Sequence, residues 1–351
     1  MIIKDAKVKT HDMQLKEPWA IAGHVHESIK NTFIIIEDRE GNIGVGSCAT
    51  QNDSEASVKA CFENLDSFSS SLIGKDLTPT ENLLNWIASE FSSSPEGNAA
   101  VDIAIHDLWA KRQEKSLVDA LGKAHQSFDT SITIGVASLE KTVEMAKKHI
   151  GNGFSILKIK IGDCVEEDIE RMKALFALKP EKIKIRVDAN RGYSKEELIK
   201  FYEETLDLGL ELIEQPMEID QNDEMLYFPD EIREICVADE SLKNFDHAIR
   251  LVQDPRPFGV FNIKLMKCGG VSAAKKIAAL AHENGIKLMW GCFDESKVSI
   301  SAALHTALSC ENTQYIDLDG FFDLGWDLID GGYKCENGIM SVLDKSGLGV
   351  Y

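Results

Sequence analysis

Residues 154–190 read FSILKIKIGDCVEEDIERMKALFALKPEKIKIRVDAN. Phe154–Ile161 and Ile183–Asp188 are short apolar runs, and residues 165–178 between them carry apolar side chains at helical spacing. Two strands joined by a helical crossover form the unit of a parallel sheet. The unit recurs. Ser131–Val136, Glu211–Glu214, Ile235–Asp239, Gly259–Lys264, Ile286–Cys292 and Tyr315–Asp319 are further runs of the same kind. Helices are expected between them near 139–150, 195–208, 222–233, 244–253, 272–284 and 296–310. Eight buried strands with seven intervening helices in about 200 residues favour a closed (β/α) barrel over an open sheet. An open doubly wound sheet would want a glycine-rich first turn, and no G-x-G-x-x-G follows an early strand.

The first hundred-odd residues have a different rhythm. Thr32–Glu37 (TFIIIE) and Ile43–Cys48 (IGVGSC) flank the turn Asp38–Asn42 and read as a hairpin. Residues 54–69, 80–92 and 97–113 then show helical spacing. Strands followed by helices mark an α+β unit over residues 1–120, with the barrel over 121–323. The tail, 324–351, holds no ninth unit and is expected to return to the first one.

Composition sets the outer limits. At roughly 150 residues per domain, a chain of 351 residues and 38.9 kDa suggests two domains. A hydrophobic fraction of 44% and a charged fraction of 27% exclude a disordered or fibrous chain. Lys and Arg total 38 against 58 Asp and Glu, leaving a net charge of −20 and a pI near 4.9. Such a surface repels phosphate backbones and anionic lipid, so neither nucleic acid nor a membrane is expected as a partner. No stretch approaches the roughly 20 apolar residues of a bilayer span, and MIIKDAKVKTHD lacks the apolar core of a signal peptide. The 8 cysteines form no C-x-x-C pair and read as scattered thiols of a cytoplasmic protein.

Barrel chemistry sits at the carboxyl ends of the strands. Here the second run ends Lys158-Ile159-Lys160, and the third reaches Asp188. The fourth ends at Glu214, the fifth at Asp239, the sixth at Lys264 and the eighth at Asp317-Leu318-Asp319. Alternate residues share a face, so Lys158 and Lys160 point one way, as do Asp317 and Asp319. Asp188, Glu214 and Asp239 end three consecutive strands about 4.8 Å apart. Converging carboxylates repel unless a hard cation sits among them, and all-oxygen donors suit Mg²⁺. One such carboxylate would more simply cap the next helix; three in a row, bracketed by lysines, call for another explanation. Lys160 and Lys264 flank the arc and can address opposite faces of a molecule held there. A lysine base needs a lowered proton affinity, which the neighbouring Lys158 ammonium is expected to supply.

Taken as a set, several motifs resemble the enolase superfamily, in its muconate-lactonizing subgroup, and within that the dipeptide epimerases. They are K-I-K at 158–160, V-D-A-N at 187–190, E-Q-P at 214–216, A-D-E-S at 238–241, N-I-K-L-M-K-C-G-G at 262–270 and G-L-G-V at 347–350. The resemblance spans nearly the whole chain. It implies a (β/α)7β TIM-like barrel under an N-terminal α+β capping domain that the C-terminal tail completes. It also implies one Mg²⁺ on Asp188, Glu214 and Asp239, with Lys160 and Lys264 as the two bases and Lys158 on the substrate carboxylate. The implied reaction is a 1,1-proton transfer through an enediolate, inverting the α-carbon of the C-terminal residue of a dipeptide.

Within the resemblance, the D-L-D pair Asp317/Asp319 meets the α-ammonium of the dipeptide. A muconate or succinylbenzoate has no ammonium, and two buried carboxylates would then be costly. Thr133 matches a position that contacts substrate. Relatives acting on Ala-Glu carry an arginine in the first cap loop, whereas residues 18–24 (PWAIAGH) offer His24. The expected substrate is therefore an Ala-Xaa dipeptide with a small or apolar second residue. Trp19, Ile21 and Phe293 are candidates for an apolar wall, and Asp294 is an acid with no role assigned. The competing readings are an Ala-Glu epimerase, a cycloisomerase or o-succinylbenzoate synthase on the same scaffold, and a non-catalytic binding protein, against which the intact lysines and acids argue. A homo-oligomer is expected.

Overall fold

The computed structural model describes residues 1–21, 24–50, 54–178 and 180–351, without the side chains of 17–21 and 24–26. Three antiparallel strands open the chain: β1 (Ile3–Ile21), β2 (His24–Asp38) and β3 (Ile43–Ala49), in the order β1-β2-β3. The Asp38–Asn42 turn forms where the sequence places it, because Asp38 Oδ1 accepts the N–H groups of Glu40 and Asn42 at 2.9 Å. The helices α1 (Glu55–Leu72), α2 (Glu81–Glu90) and α3 (Pro95–Arg112) follow. Ser54 and Thr80 cap the first two through their hydroxyls. Helix α3 is buried on nearly every side from Ala99 to Leu108. Its alanines let β3 approach so closely that a Cβ on Gly46 would collide with the Ala100 carbonyl, and one on Gly44 with that of Ala104.

A short helix α4 (Leu117–Leu121) and strand β4 (Phe128–Asp129) lead into the barrel. Each of the eight apolar runs matches one strand, the last shifted two residues toward the N-terminus: β5 (Ile132–Ile134), β6 (Ile156–Lys160), β7 (Lys184–Asp188), β8 (Leu212–Glu214), β9 (Cys236–Ala238), β10 (Val260–Ile263), β11 (Lys287–Gly291) and β12 (Thr313–Asp317). They pair in chain order as one 8-stranded sheet. The intervening helices are α5 (Leu139–Gly151), α6 (Val165–Leu178), α7 (Lys195–Thr205), α8 (Asp230–Arg233), α9 (Phe245–Leu251), α10 (Leu265–Cys268), α11 (Val271–Glu283) and α12 (Lys297–Leu308).

Two of these differ from expectation. Residues 222–233 are not one helix: a 3₁₀ segment, Ile219–Tyr227, precedes the single turn of α8. Pro229 lacks an N–H and holds Phe228 extended, at φ −86° and ψ 148°, so the helix cannot run through. The 272–284 helix is preceded by the extra turn α10, split from α11 where Gly269 and Gly270 take φ values of 98° and 104°.

Register levels the strand ends. Lys160 pairs with Asp188, Asp188 with Glu214, and Gly291 with Asp317. The seam between β12 and β5 is closed by a bridge from Thr130 to Ile316 and by the Leu318 N–H donating to Thr130 Oγ1 at 2.9 Å. The tail forms the hairpin β13 (Tyr333–Glu336) and β14 (Ile339–Val342), which adds to β4. Beyond it, Gly347 O accepts from the Leu117 N–H at 2.7 Å, and the Leu348 N–H donates to Asp107 of α3 at 2.8 Å. No described helix is long and apolar enough to cross a membrane.

The β3–α3 contact should be the least forgiving place in the first unit. Gly46→Ala is expected to lower unfolding free energy by ~1–3 kcal/mol through overpacking. Gly41→Ala, at φ 86° but with open space around it, should cost ~1 kcal/mol. Urea melts of the two variants check the order; Gly46→Ala at or above wild-type stability would contradict the packing.

Candidate active site

The parallel strands deliver the predicted strand-end groups to one cluster. Lys158 and Lys160 share a face of β6. The Lys158 ammonium lies 2.7 Å from Glu214 Oε2 and Asp317 Oδ2 and 3.1 Å from Asp188 Oδ2. Lys160 donates to Asp188 Oδ2 at 2.7 Å and to Asn190 Oδ1 at 2.8 Å. On the other flank, Lys264 reaches Asp239 Oδ2 at 3.1 Å. Asp188, Glu214 and Asp239 are only 1%, 2% and 5% exposed, and Lys158 only 4%.

Burial penalises every one of these charges, so the balance among them decides the protonation states. Burial works against the Lys158 ammonium, yet the carboxylates of Asp317, Glu214 and Asp188 outweigh it and hold the group well above the usual lysine range. Lys264 is raised in the same way, by Asp239 and Glu214 against its burial. The expectation that Lys158 and Lys160 would depress one another is thus reversed for Lys158, because three carboxylates lie within 3.1 Å of its ammonium. Asp188 and Asp239 are also buried, but Lys160 with Lys158, and Lys264 with Lys267, push them below the ordinary carboxylate range. Glu214 goes the other way, up to about 7, through burial and the charges of Asp188 and Asp239. For Glu214, burial and two neighbouring carboxylates thus outweigh the pull of Lys158 and Lys264.

The chemistry of the donors is the test of fit for a divalent ion. The donors are carboxylate oxygens on three consecutive strands, the set a hard cation such as Mg²⁺ prefers. Among the described residues no three acidic, His or Cys groups are already gathered at metal-binding distance. Lys158 bridges Asp188 and Glu214 and supplies the positive charge between them. The residues fit the ion by the chemistry of their donors.

The D-L-D pair does two things at once. Asp317 Oδ1 accepts from Ser131 Oγ at 2.5 Å, and Asp319 Oδ2 accepts from the Thr133 N–H at 2.7 Å. Both bonds cross from β12 to β5, so the acids help to sew the barrel shut. Burial and the Asp317 charge push Asp319 up to about 6. Thr133 is therefore tied to this acid pair through its backbone. Phe293 lies beside the cluster, its ring centroid 5.2 Å from Lys264 Nζ. The backbone at Asp294 packs against Gly320, directly after the D-L-D pair. The side chains of His24, Trp19 and Ile21 lie outside the described ones; His24 begins β2.

Several polar groups of the cluster carry no functional assignment in the sequence reading. Asn190 orients Lys160. Asn262, a polar residue inside an otherwise apolar run, donates to Glu214 Oε1 at 2.8 Å. Gln215, at φ 33°, accepts the N–H groups of Asp239 at 3.1 Å and Ser241 at 3.0 Å. Asn190, Gln215 and Asn262 were legible only as members of their motifs.

With this geometry in view, the comparisons with known proteins are consistent from end to end. Residues 3–122 match the model of the mandelate racemase / muconate lactonizing enzyme N-terminal domain, and residues 141–351 match the enolase C-terminal domain-like model. The chain belongs to the enolase superfamily, in its mandelate racemase / muconate lactonizing enzyme family. It is 43% identical to an L-Lys-D/L-Arg epimerase of Desulforapulum autotrophicum, covering 100% of this chain and 99% of that one. A crystal structure of a dipeptide epimerase from Methylococcus capsulatus, complexed with Mg and the dipeptide L-Arg-D-Lys, superposes with a TM-score of 0.95 at 39% identity, over 100% of this chain and 99% of that one. A dipeptide epimerase from Enterococcus faecalis, complexed with Mg and L-Leu-L-Tyr, superposes with a TM-score of 0.92 at 30% identity and the same coverage.

The raised carboxyls give stability a definite pH dependence. Glu214 and Glu295 titrate near 7 and Asp319 near 6, all above their unfolded values. Between about pH 4.5 and 7 the folded protein therefore binds more protons than the unfolded chain, and stability falls as pH rises. Glu295 is 2% exposed, and burial is the first cause of its shift. Glu295→Gln is expected to raise the melting temperature of metal-free protein by about 3–6 °C at pH 8, and to leave it nearly unchanged at pH 5. Calorimetry showing the same shift at both pH values would refute this account.

Proposed function

We propose that this protein is an Mg²⁺-dependent dipeptide epimerase that inverts the α-carbon of the second residue. The observation that carries the reading is the placement of two lysines on opposite flanks of one carboxylate arc, Lys160 anchored by Asp188 and Lys264 by Asp239. Inversion needs a proton removed from one face and another delivered to the opposite face, which two flanking ammonium/amine groups can do. Asp188, Glu214 and Asp239 would hold the metal. When bound, Mg²⁺ supplies the positive charge that stabilises the substrate carboxylate as the α-proton leaves. Lys158, already among the acids, binds that carboxylate from the protein side. Asp317 and Asp319 accept the dipeptide ammonium, and their bonds to Ser131 and Thr133 hold them at the seam. The Mg complexes of similar epimerases support the choice of metal.

For the side chains we infer a cationic dipeptide built from Lys and Arg. Similarity over the full length to an epimerase named for L-Lys-D/L-Arg supports it. So does Asp294, the half-buried acid after β11 beside the D-L-D pair. The second reading is Ala-Xaa with a small or apolar second residue, which the Phe293 ring beside Lys264 favours. Ala-Glu fits least, since Asp294 adds an acid rather than a cation.

Two sets of measurements test these proposals. Lys160→Ala and Lys264→Ala should each cut epimerisation by about 10²–10⁴-fold, while sparing solvent-deuterium exchange from opposite diastereomers. Near wild-type interconversion by either variant would defeat the two-base assignment. Comparing kcat/KM for Lys-Arg, Ala-Ala, Ala-Leu and Ala-Glu, Lys-Arg should lead, and a lead for Ala-Leu would establish the second reading instead. N-acetylation of the best substrate, or Asp319→Asn, should cost about 10- to 150-fold, the worth of a charge-assisted contact; unchanged turnover would remove the D-L-D pair from the site.

A further inference from the structure

We infer that Lys267 is a positioning residue: it orients Asp239 and thereby holds Lys264 to its side of the carboxylate arc. This rests on the function proposed above. Lys267 stands three residues after Lys264, on the single turn α10, a spacing that brings its side chain back toward the same side of the chain. Its ammonium donates to Asp239 Oδ1 and to the Asp239 carbonyl oxygen, both at 2.5 Å. The second carboxylate oxygen, Oδ2, meets Lys264. On the other side of the residue, the Asp239 N–H is taken by Gln215 Oε1 at 3.1 Å. The N–H, the carbonyl and one carboxylate oxygen of Asp239 are thus all committed to the protein, and Oδ2 is the oxygen turned to Lys264.

The Lys267 side chain is only 4% exposed, and a buried ammonium is costly unless it is paired. Both hydrogen-bond acceptors that meet it belong to Asp239, and the Glu240 carboxylate adds only a weaker attraction. The turn that carries it is gripped from behind by the cap. Asn98 of α3 packs against Gly269, and Asp102 packs against Gly270 while accepting from Ser272 Oγ at 2.5 Å. Lys267 is therefore a strut between the cap-bound α10 and the end of β9, and Lys264 sits at the near end of the same turn.

The experiment uses the full-length protein as wild type, Lys267→Met and Lys267→Arg. Mg²⁺ is titrated calorimetrically into protein free of dipeptide, and α-deuterium exchange is followed separately for the two diastereomers of the best dipeptide. Lys267→Met should weaken Mg²⁺ binding by about 10–100-fold, the usual effect of removing a partner that orients a metal ligand. It should slow exchange of the diastereomer served by Lys264 about tenfold more than that of the other, and Lys267→Arg should recover part of both losses. Mg²⁺ affinity within about twofold of wild type, or equal slowing of both diastereomers, overturns the inference. If Lys267→Met does not fold, Lys267→Arg carries the test, since its displaced donor should still slow the two diastereomers unequally, and equal slowing again overturns it. A wild type that binds no Mg²⁺ sinks the functional proposal and this inference with it; normal wild-type binding with an unaltered Lys267→Met sinks this inference alone.

Discussion

Three carboxylates buried side by side on neighbouring strands govern the rest of this structure. Two unit charges 4 Å apart in a medium of effective dielectric 20 repel by about 4 kcal/mol, so the arc of Asp188, Glu214 and Asp239 cannot stand without positive charge among and around it. Lys158 lies between two of its members, with Lys160 on one flank and Lys264 and Lys267 on the other. Even so, Glu214 takes up a proton near pH 7. The crowding of buried carboxylates that makes the site costly to fold also gives it the all-oxygen donor set that a hard cation prefers.

Barrel closure brings the remaining groups to the arc. Strands β5 and β12 share little backbone pairing, and the seam relies on Thr130, Ser131, Asp317 and Asp319. The acids proposed to meet the dipeptide ammonium are thus also structural fasteners. A group with both duties is held in place before any ligand arrives, which lowers the ordering cost of binding.

The cap reaches the site through few but well-placed contacts. Helix α3 is buried between its own sheet and the α10–α11 break, and Asn31 of β2 accepts the Ser296 N–H at 3.0 Å where α12 begins. These contacts touch the turn after Lys264 and the segment after Asp294-Glu295. Cap position and site geometry are therefore not independent, although the chemistry resides in the barrel.

The sequence alone determined most of the architecture and picked out the strand-end groups that the barrel gathers into one cluster. Each barrel strand is a short apolar run ended by a polar group, and period-two alternation states which of those groups share a face. What it could not determine was the partner of each charge. Lys267 and Asn262 were legible only as members of the N-I-K-L-M-K-C-G-G motif, because their partners, Asp239 and Glu214, are 28 and 48 residues away. The proton affinities were equally hidden. Lys158 beside Lys160 suggested mutual depression, but for Lys158 the folded chain sets carboxylates at closer range than the second ammonium. The helix expected at 222–233 failed for a local reason, Pro229, which was legible in advance. Pairings and pKa values depend on distances that only barrel closure sets, whereas strand periodicity and helix breakers act within a few residues of chain.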